Sequence, residues 1–260
     1  MIDGGLGSQM IGWIKYQIAQ EMYNNTKVEL DLSYFLPTQP SDVIAGLTKW
    51  EWELDHYGID LNNLHPQAKP FLADISYEKR AQFEFPIFQE MMSRSWKHLF
   101  PVSAATNELS QRISLPKDYG VIHLRRGDYL QVGSKIVQEA SVNKLLEKIN
   151  GLLPKALLIV SDSEITNQTL NRIKKVANVD NIEKIIGGDM HAVHGLMRQA
   201  KILIASNSTY SISAALTMTS SGTTVFPTNF YGSSMPNLNS NLNSLANWHL
   251  HGDFEEDHQT

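Results

Sequence analysis

Hydrophobic and polar positions follow two rhythms along this chain, and the rhythm changes near its middle. From about residue 120 onward, short apolar runs take turns with stretches of helical spacing. The runs are residues 121–124, 156–160, 182–186, 202–205 and 223–226. The helical stretches are 137–153, 165–176, 190–200 and 209–219, the first with Val142, Leu145, Leu146 and Ile149 on one face. Runs with no polar side are expected of strands covered on both faces. Strand and helix in alternation therefore predict an α/β fold with a parallel, doubly wound sheet. Ser161-Asp162-Ser163 stands where a cap for the helix at 165–176 is expected.

The first 110 residues are less regular. A glycine turn at 4–7 opens a predicted helix over 8–23, with Ile11, Ile14, Ile18 and Met22 along one stripe. Residues 35–86 mix Pro, Trp and charge with weak periodicity, and a further helix is expected over 82–99. Pro101 and Pro116 frame a polar stretch that marks a soft boundary, giving an N-terminal domain over 1–110 and a C-terminal one over 111–260. Asn and Ser crowd residues 237–244, which read as a surface loop, and the acidic tail from 252 to 260 is expected to fray.

Composition narrows the classes. At 260 residues, 42% hydrophobic and 19% charged, the chain has the makings of a folded core and not of global disorder. A net charge of −5 argues against general nucleic-acid binding, which needs a cationic footprint. With no cysteine, disulfides and thiolate zinc sites are excluded. No run approaches the roughly 20 apolar residues of a membrane span, and residues 1–5 show no export signal. A cytoplasmic location is the expectation, with peripheral contact at the inner face of a membrane left open.

The run His123-Leu124-Arg125-Arg126-Gly127-Asp128-Tyr129 carries the chemistry. An apolar strand ends in two arginines, a glycine and an aspartate. In open parallel sheets, ligands sit beyond the carboxyl ends of the strands. Paired guanidiniums there suit a diphosphate, because the planar fork bonds it bidentately with permanent charge. Gly127 permits a sharp turn, and Asp128 is placed to hold one arginine. A surface Arg-Arg-Asp turn that merely ends a strand is the bland alternative. Farther on, a buried strand, a polar turn and a helix present Asn207, Ser208, Thr209 and Ser211, whose hydroxyls and free N–H groups suit an anion. Ser208 alone also reads as a plain helix cap.

The motif His-x-Arg-Arg-Gly-Asp-Tyr resembles the signature of the bacterial α-1,2-fucosyltransferases, glycosyltransferase family 11. Three further blocks agree in order: Gly4-Gly5-Leu6-Gly7-Ser8-Gln9-Met10, Ser161-Asp162, and Leu196-Met197 through Ser211. The resemblance implies a GT-B-like α/β fold, two Rossmann-like domains facing across a cleft. It implies GDP-fucose as donor, a galactose-type glycan as acceptor, inversion at the anomeric carbon, and no metal or other cofactor. By that analogy Arg125 contacts the diphosphate and His123 helps to hold the nucleotide. Gly7, Ser8, Gln9, Arg126, Asp162, His194, Asn207, Ser208, Thr209 and Ser211 complete the donor site, and Asp128 is the candidate base. The N-terminal domain would face the acceptor.

The chain departs from the family pattern at several positions. Ser8 stands for an Asn. Val193 stands for an Asp that reads guanine in related enzymes, with Asp189 and His194 nearby as substitutes. Ile212-Ser213 replaces a Trp pair, and only three residues precede the glycine turn where the family has a strand. A related transferase with another linkage or nucleotide sugar, and a catalytically silent binding domain, therefore stay open. His191 and His194 are three apart, a spacing seen in metal sites, but no third ligand is evident. Trp50, Trp52 and Tyr57 cluster as either a sugar-stacking platform or core.

Overall fold

A computed structural model of the chain describes residues 2–24, 28–35, 50–64, 77–127, 139–227 and 248–251. It forms two compact units, Met1–Pro101 and Val102–Thr260. Asp128, Tyr129, the Asn/Ser stretch at 237–244 and the tail from 252 lie outside the described residues.

In the first unit the regular elements among the described residues are helices, with α1 at Leu6–Met22 and α2 at Tyr77–Ser93 packed on each other. Helix α1 starts two residues earlier than expected, at an N-cap provided by Gly5. Its buried stripe is Leu6, Met10, Ile14 and Ile18. Ile11 is half-buried and Met22 is 42% exposed, so two members of the expected stripe belong to its margin and its outer side. Helix α2 runs through Pro86 instead of starting near it, and ends at Ser93 instead of 99.

The glycine turn before α1 depends on Gly4, whose φ of +68° lies in the left-handed region. Gln9, wholly buried, clasps the turn to the segment at 50–53. Its Nε2 donates to the carbonyls of Gly4 (2.8 Å) and Glu51 (2.7 Å), and its Oε1 accepts from the N–H of Glu53 (2.8 Å).

The second unit opens with α3 at Ala104–Arg112. It then alternates β1 (Gly120–Leu124), α4 (Glu139–Ile149), β2 (Ala156–Ser161), α5 (Asn167–Ala177), β3 (Asn181–Ile186), α6 (Met190–Gln199), β4 (Ile202–Ile204), α7 (Thr209–Leu216) and β5 (Thr223–Pro227). A last strand, β6 at Trp248–His251, was not anticipated. The α/β class is as expected. All six strands are parallel in the order β3-β2-β1-β4-β5-β6, the order of Rossmann-type domains, with the switch point between β1 and β4.

Successive side chains of a strand point to opposite faces, and β1 shows how the sheet uses this. Ile122 and Leu124 join Leu157, Ile159, Ile204 and Val225 in a core closed by Val142, Leu145 and Leu146 of α4 and Ile173 and Ala177 of α5. His123 points the other way, to α7. That face is covered by α6 and α7, which pack on each other, and α3 packs outside α6. Helix α4 is shorter than the spacing suggested, giving way to a 3-10 turn at Asn150–Leu152, and α7 ends at Leu216.

Helices α3 and α6 touch closely at Gly195, where an added Cβ would fall 2.1 Å from the Thr106 hydroxyl oxygen and 2.9 Å from its Cβ. Thr106 is itself fully buried, so nothing there yields easily. We expect Gly195→Ala to destabilise the protein by about 1–3 kcal/mol through overpacking, despite alanine's better helix propensity. Urea unfolding checks this, and a stabilised variant would mean that α3 does not seat on α6 as described.

Candidate functional site

The carboxyl end of β1 runs into a loop held from below by one side chain. Asp162, just past β2, accepts through Oδ1 from the backbone N–H groups of Arg126 (2.7 Å) and Gly127 (2.9 Å). It also pairs with the Arg125 guanidinium, Nη1 to Oδ2 at 3.0 Å. Gly127 is needed for this approach, since a Cβ there would lie 2.6 Å from Asp162 Oδ2. The expected cap role of the Ser161–Ser163 turn is thereby corrected. Asp162 faces β1, Ser161 Oγ donates to the Leu124 carbonyl (2.9 Å), and α5 is capped by Thr166, whose Oγ1 accepts from Thr169 N–H (3.2 Å).

Arg126 has a different holder. Its Nη2 pairs with Glu139 Oε1 in the first turn of α4, and Thr169 Oγ1 of α5 donates to Glu139 Oε2 at 3.0 Å. Asp128 had been expected to hold an arginine; the acids that do so among the described residues are Asp162 and Glu139. The two arginines stay partly open, with side-chain exposures of 25% for Arg125 and 18% for Arg126. A guanidinium carries five N–H donors in one planar fork, a shape that suits carboxylate and phosphate alike.

Across the switch point lies the β4–α7 turn. Ser208 caps α7, its Oγ accepting from Tyr210 N–H (3.3 Å). Asn207 Oδ1 is buried with no hydrogen-bond partner among the described residues, and Thr209 is exposed. His123 joins the two sides of the crevice. It is 5% exposed, and its Nδ1 lies 2.5 Å from Ser211 Oγ and 3.0 Å from Ser206 Oγ. Burial, and next the Arg125 cation, lower its pKa to about 4 against a smaller opposite pull from Asp162, so the ring is neutral near pH 7. Ser211 is fully buried, its hydroxyl turned to His123 and not to an open site.

Other expected ligand groups are spent on packing. His194 is fully buried between α6 and α7, its Nε2 2.8 Å from Ser213 Oγ and its ring edge-on to Tyr210 at 4.9 Å. Burial, followed by the Arg198 and His191 charges, holds its pKa well below the ordinary value. Gln9 is the clasp of the first unit, beside buried Gly7 and half-buried Ser8. Trp52 donates its indole N–H to the Ile59 carbonyl (2.7 Å) and packs edge-on to Phe35, while Tyr57 packs edge-on to Phe100. Both are half-buried in aromatic contacts. Trp50 lies over Gly5 with 37% of its surface exposed, the most exposed member of the trio.

Val193 is 3% exposed and borders a cavity of about 340 Å³ between α3, α6 and the end of β3. Ala105, Leu109, Ile185 and Ala192 make it apolar, and Glu108, Arg112 and Asp189 add charge. Asp189 uses Oδ1 to cap α6, accepting from His191 (2.9 Å) and Ala192 (3.1 Å). Among the described residues no group of three or more His, Asp or Glu is placed to hold a metal, and no helix is long and apolar enough to cross a membrane.

By its fold and its arginine-lined switch point, the second unit is a Rossmann-type domain with an anion-suited crevice. Residues 102–251, more than half of the chain, match the model of glycosyl transferase family 11, and the chain belongs to that family. No curated protein matches it. Among solved structures, it is similar to POFUT1 in complex with GDP-fucose, at 15% identity and a TM-score of 0.40 over 54% of this chain and 49% of that one. In that comparison the chain spans about half the length of the POFUT1 chain. It is also similar to POFUT1 in complex with GDP, at 14% identity and a TM-score of 0.49 over 86% and 95%. A third likeness is to Escherichia coli heptosyltransferase WaaC with ADP, at 11% identity and a TM-score of 0.43 over 100% and 94%. At such scores these likenesses carry no weight for this site.

Two outcomes follow from the geometry. Asp162→Ala should destabilise the protein by about 1–3 kcal/mol, since it removes two hydrogen bonds to part-buried backbone donors at about 0.5–1.5 kcal/mol each. Asp162→Asn should cost less, since its Oδ1 still accepts from both N–H groups; equal losses in urea unfolding would contradict the double role of Asp162. The second outcome concerns acid. Between the ordinary histidine value of 6.5 and about 4, the unfolded chain binds a proton that folded His123 does not. Stability therefore rises with pH across that window and is lost as pH falls through it. His123→Asn should flatten the fall in urea midpoint between pH 6.5 and 4; an unchanged slope would mean that His123 is not buried in its neutral form.

Proposed function

We propose that this chain is an inverting fucosyltransferase that moves fucose from GDP-fucose to a galactose-type hydroxyl of a glycan, forming an α-1,2 linkage in cytoplasmic synthesis of a surface polysaccharide. The observation that carries this reading is the arginine pair at the end of β1, held by Asp162 and Glu139 opposite the start of α7, in a member of family 11. A diphosphate laid between them meets fixed guanidiniums on one side and the N–H groups of α7 on the other.

In the reaction, the bond from the anomeric carbon of fucose to the GDP oxygen breaks while the acceptor oxygen bonds to the opposite face of that carbon. Negative charge grows on the departing diphosphate, and a donor already in place stabilises it without reorganising. Asp162 supplies that preparation, because it fixes the backbone around Arg125 before any ligand arrives. The acceptor proton goes to a carboxylate, a role we assign to Asp128. With the phosphate charge met by arginine, a bridging metal has nothing to add. The first unit faces the acceptor in this reading, with Trp50 as its stacking ring.

Val193 favours a second reading, transfer from a different nucleotide sugar. A valine offers no acceptor to the guanine N1–H and amino group, and Asp189 has already committed an oxygen to the cap of α6. A charge-assisted hydrogen bond is worth about 1.5–3 kcal/mol, roughly one to two decades of affinity. Calorimetric titration of GDP-fucose, GDP-mannose and UDP-galactose separates the two readings.

Arg125→Lys keeps the charge and loses the fork. We expect kcat to fall by about 10²–10³, the usual cost of one such donor, with the fold intact. Activity within about twofold of the parent would remove Arg125 from the mechanism. EDTA should leave transfer unchanged, and a loss restored by Mn²⁺ or Mg²⁺ would show that a metal shares the work.

A further inference from the structure

His123 sits against two buried hydroxyls, and their protons can be counted. Ser206 Oγ and Ser211 Oγ both approach Nδ1, at 3.0 and 2.5 Å, and lie 3.5 Å from each other. Ser211 Oγ also accepts from the backbone N–H of Ser206 at 3.3 Å. Ser206 is 1% exposed and Ser211 fully buried, so water cannot take up what the protein leaves unpaired. A neutral imidazole has one N–H and one bare nitrogen, and either may face the pair.

Suppose Nδ1 carries the proton. It donates to Ser211 Oγ, and the Ser211 hydroxyl then donates to Ser206 Oγ. The Ser206 proton is left with no acceptor among the described residues, a cost of about 1–3 kcal/mol for a buried donor. Suppose instead that Nδ1 is bare. The Ser211 hydroxyl donates to Nδ1, while the Ser206 hydroxyl donates to Nδ1 or to Ser211 Oγ. Ser211 Oγ still accepts the Ser206 N–H, and both hydroxyl protons have a home. The hydroxyl pair thus selects the second form, which puts the ring proton on Nε2. Among the described residues Nε2 has no partner, but it is not one of the sealed, unpaired atoms of the structure, so its proton can reach solvent or a ligand where the Ser206 proton cannot.

We propose that Ser211 is a positioning residue that fixes His123 as the neutral tautomer protonated on Nε2, so that the ring presents a hydrogen-bond donor to an acceptor oxygen of the nucleotide sugar. The ligand half of this statement rests on the nucleotide-sugar reading above, and the tautomer half does not. Ser211 then acts through His123 and touches no ligand. The lock also explains why a helix that starts beside an anion-suited turn keeps a buried serine facing the sheet.

Nitrogen-15 NMR of the histidine rings in the full chain tests this directly, because protonated and bare ring nitrogens resonate far apart. Near pH 7 His123 should show a bare Nδ1 and a protonated Nε2. In Ser211→Ala the population should move toward the other tautomer, Ser206→Ala should move it less, and Ser211→Thr, which keeps the hydroxyl, should restore the parent spectrum. Where nucleotide sugar binds, Ser211→Ala should weaken it by about tenfold, the scale of one lost hydrogen bond. A protonated Nδ1 in the parent protein overturns the proposal whether or not the variants fold. So does a Ser211→Ala spectrum identical to the parent's, or one that Ser211→Thr fails to restore. If the spectra behave as expected but neither GDP-fucose, GDP-mannose nor UDP-galactose binds, the lock stands and the nucleotide-sugar reading fails.

Discussion

Everything at the candidate site depends on one carboxylate. Asp162 receives two consecutive backbone N–H groups from the turn after β1 and a guanidinium from the residue before them. Backbone donors that point at a carboxylate set the path of the chain, and that path decides where both arginine side chains emerge. The arrangement also explains a residue choice on each side. Gly127 must lack a Cβ for the carboxylate to come this close, and Ser161 ties the end of β2 back to Leu124 so that Asp162 arrives in register. Two neighbouring strands thus build the loop jointly, and neither holds it alone.

The same logic runs outward. Arg126 is fixed by Glu139, and Glu139 by Thr169, so the first turns of α4 and α5 brace the loop from the side where the large apolar core lies. On the opposite face, His123 links β1 to the β4–α7 turn through Ser206 and Ser211. Tyr210 links that turn onward to α6, its hydroxyl donating to the Met190 carbonyl at 2.5 Å. The crevice at the switch point is therefore bounded by two rigid hydrogen-bonded blocks. A site that needs little movement to accept an anion is what the proposed reaction, with its leaving diphosphate, calls for.

The sheet was legible in the sequence because its inner strands are short, almost wholly apolar runs that alternate with helical stretches, as a doubly covered parallel sheet requires. The β6 strand was missed. Trp248-His249-Leu250-His251 alternates weakly and follows an Asn-rich stretch that signals a loop. Helix ends were shifted where a capping residue or a proline suggested a boundary that packing overrode, as at Ser161–Ser163 and Pro86. At the site, the motif located the arginines but not their partners. Glu139 lies 13 residues past Arg126, and nothing local marks it. His194, Gln9 and Ser211 drew attention as polar residues inside motifs, yet each is buried and satisfies a neighbour, a distinction that only the fold can make.

The central claim is that Asp162 prepares the arginine pair for a diphosphate, and one titration tests it. GDP should bind the parent protein, and Asp162→Asn, which keeps both backbone hydrogen bonds while losing the pull on Arg125, should bind it about tenfold more weakly with the fold unchanged, one charge-assisted contact being worth about 1.5 kcal/mol or more. Equal affinity for the two proteins would contradict the account.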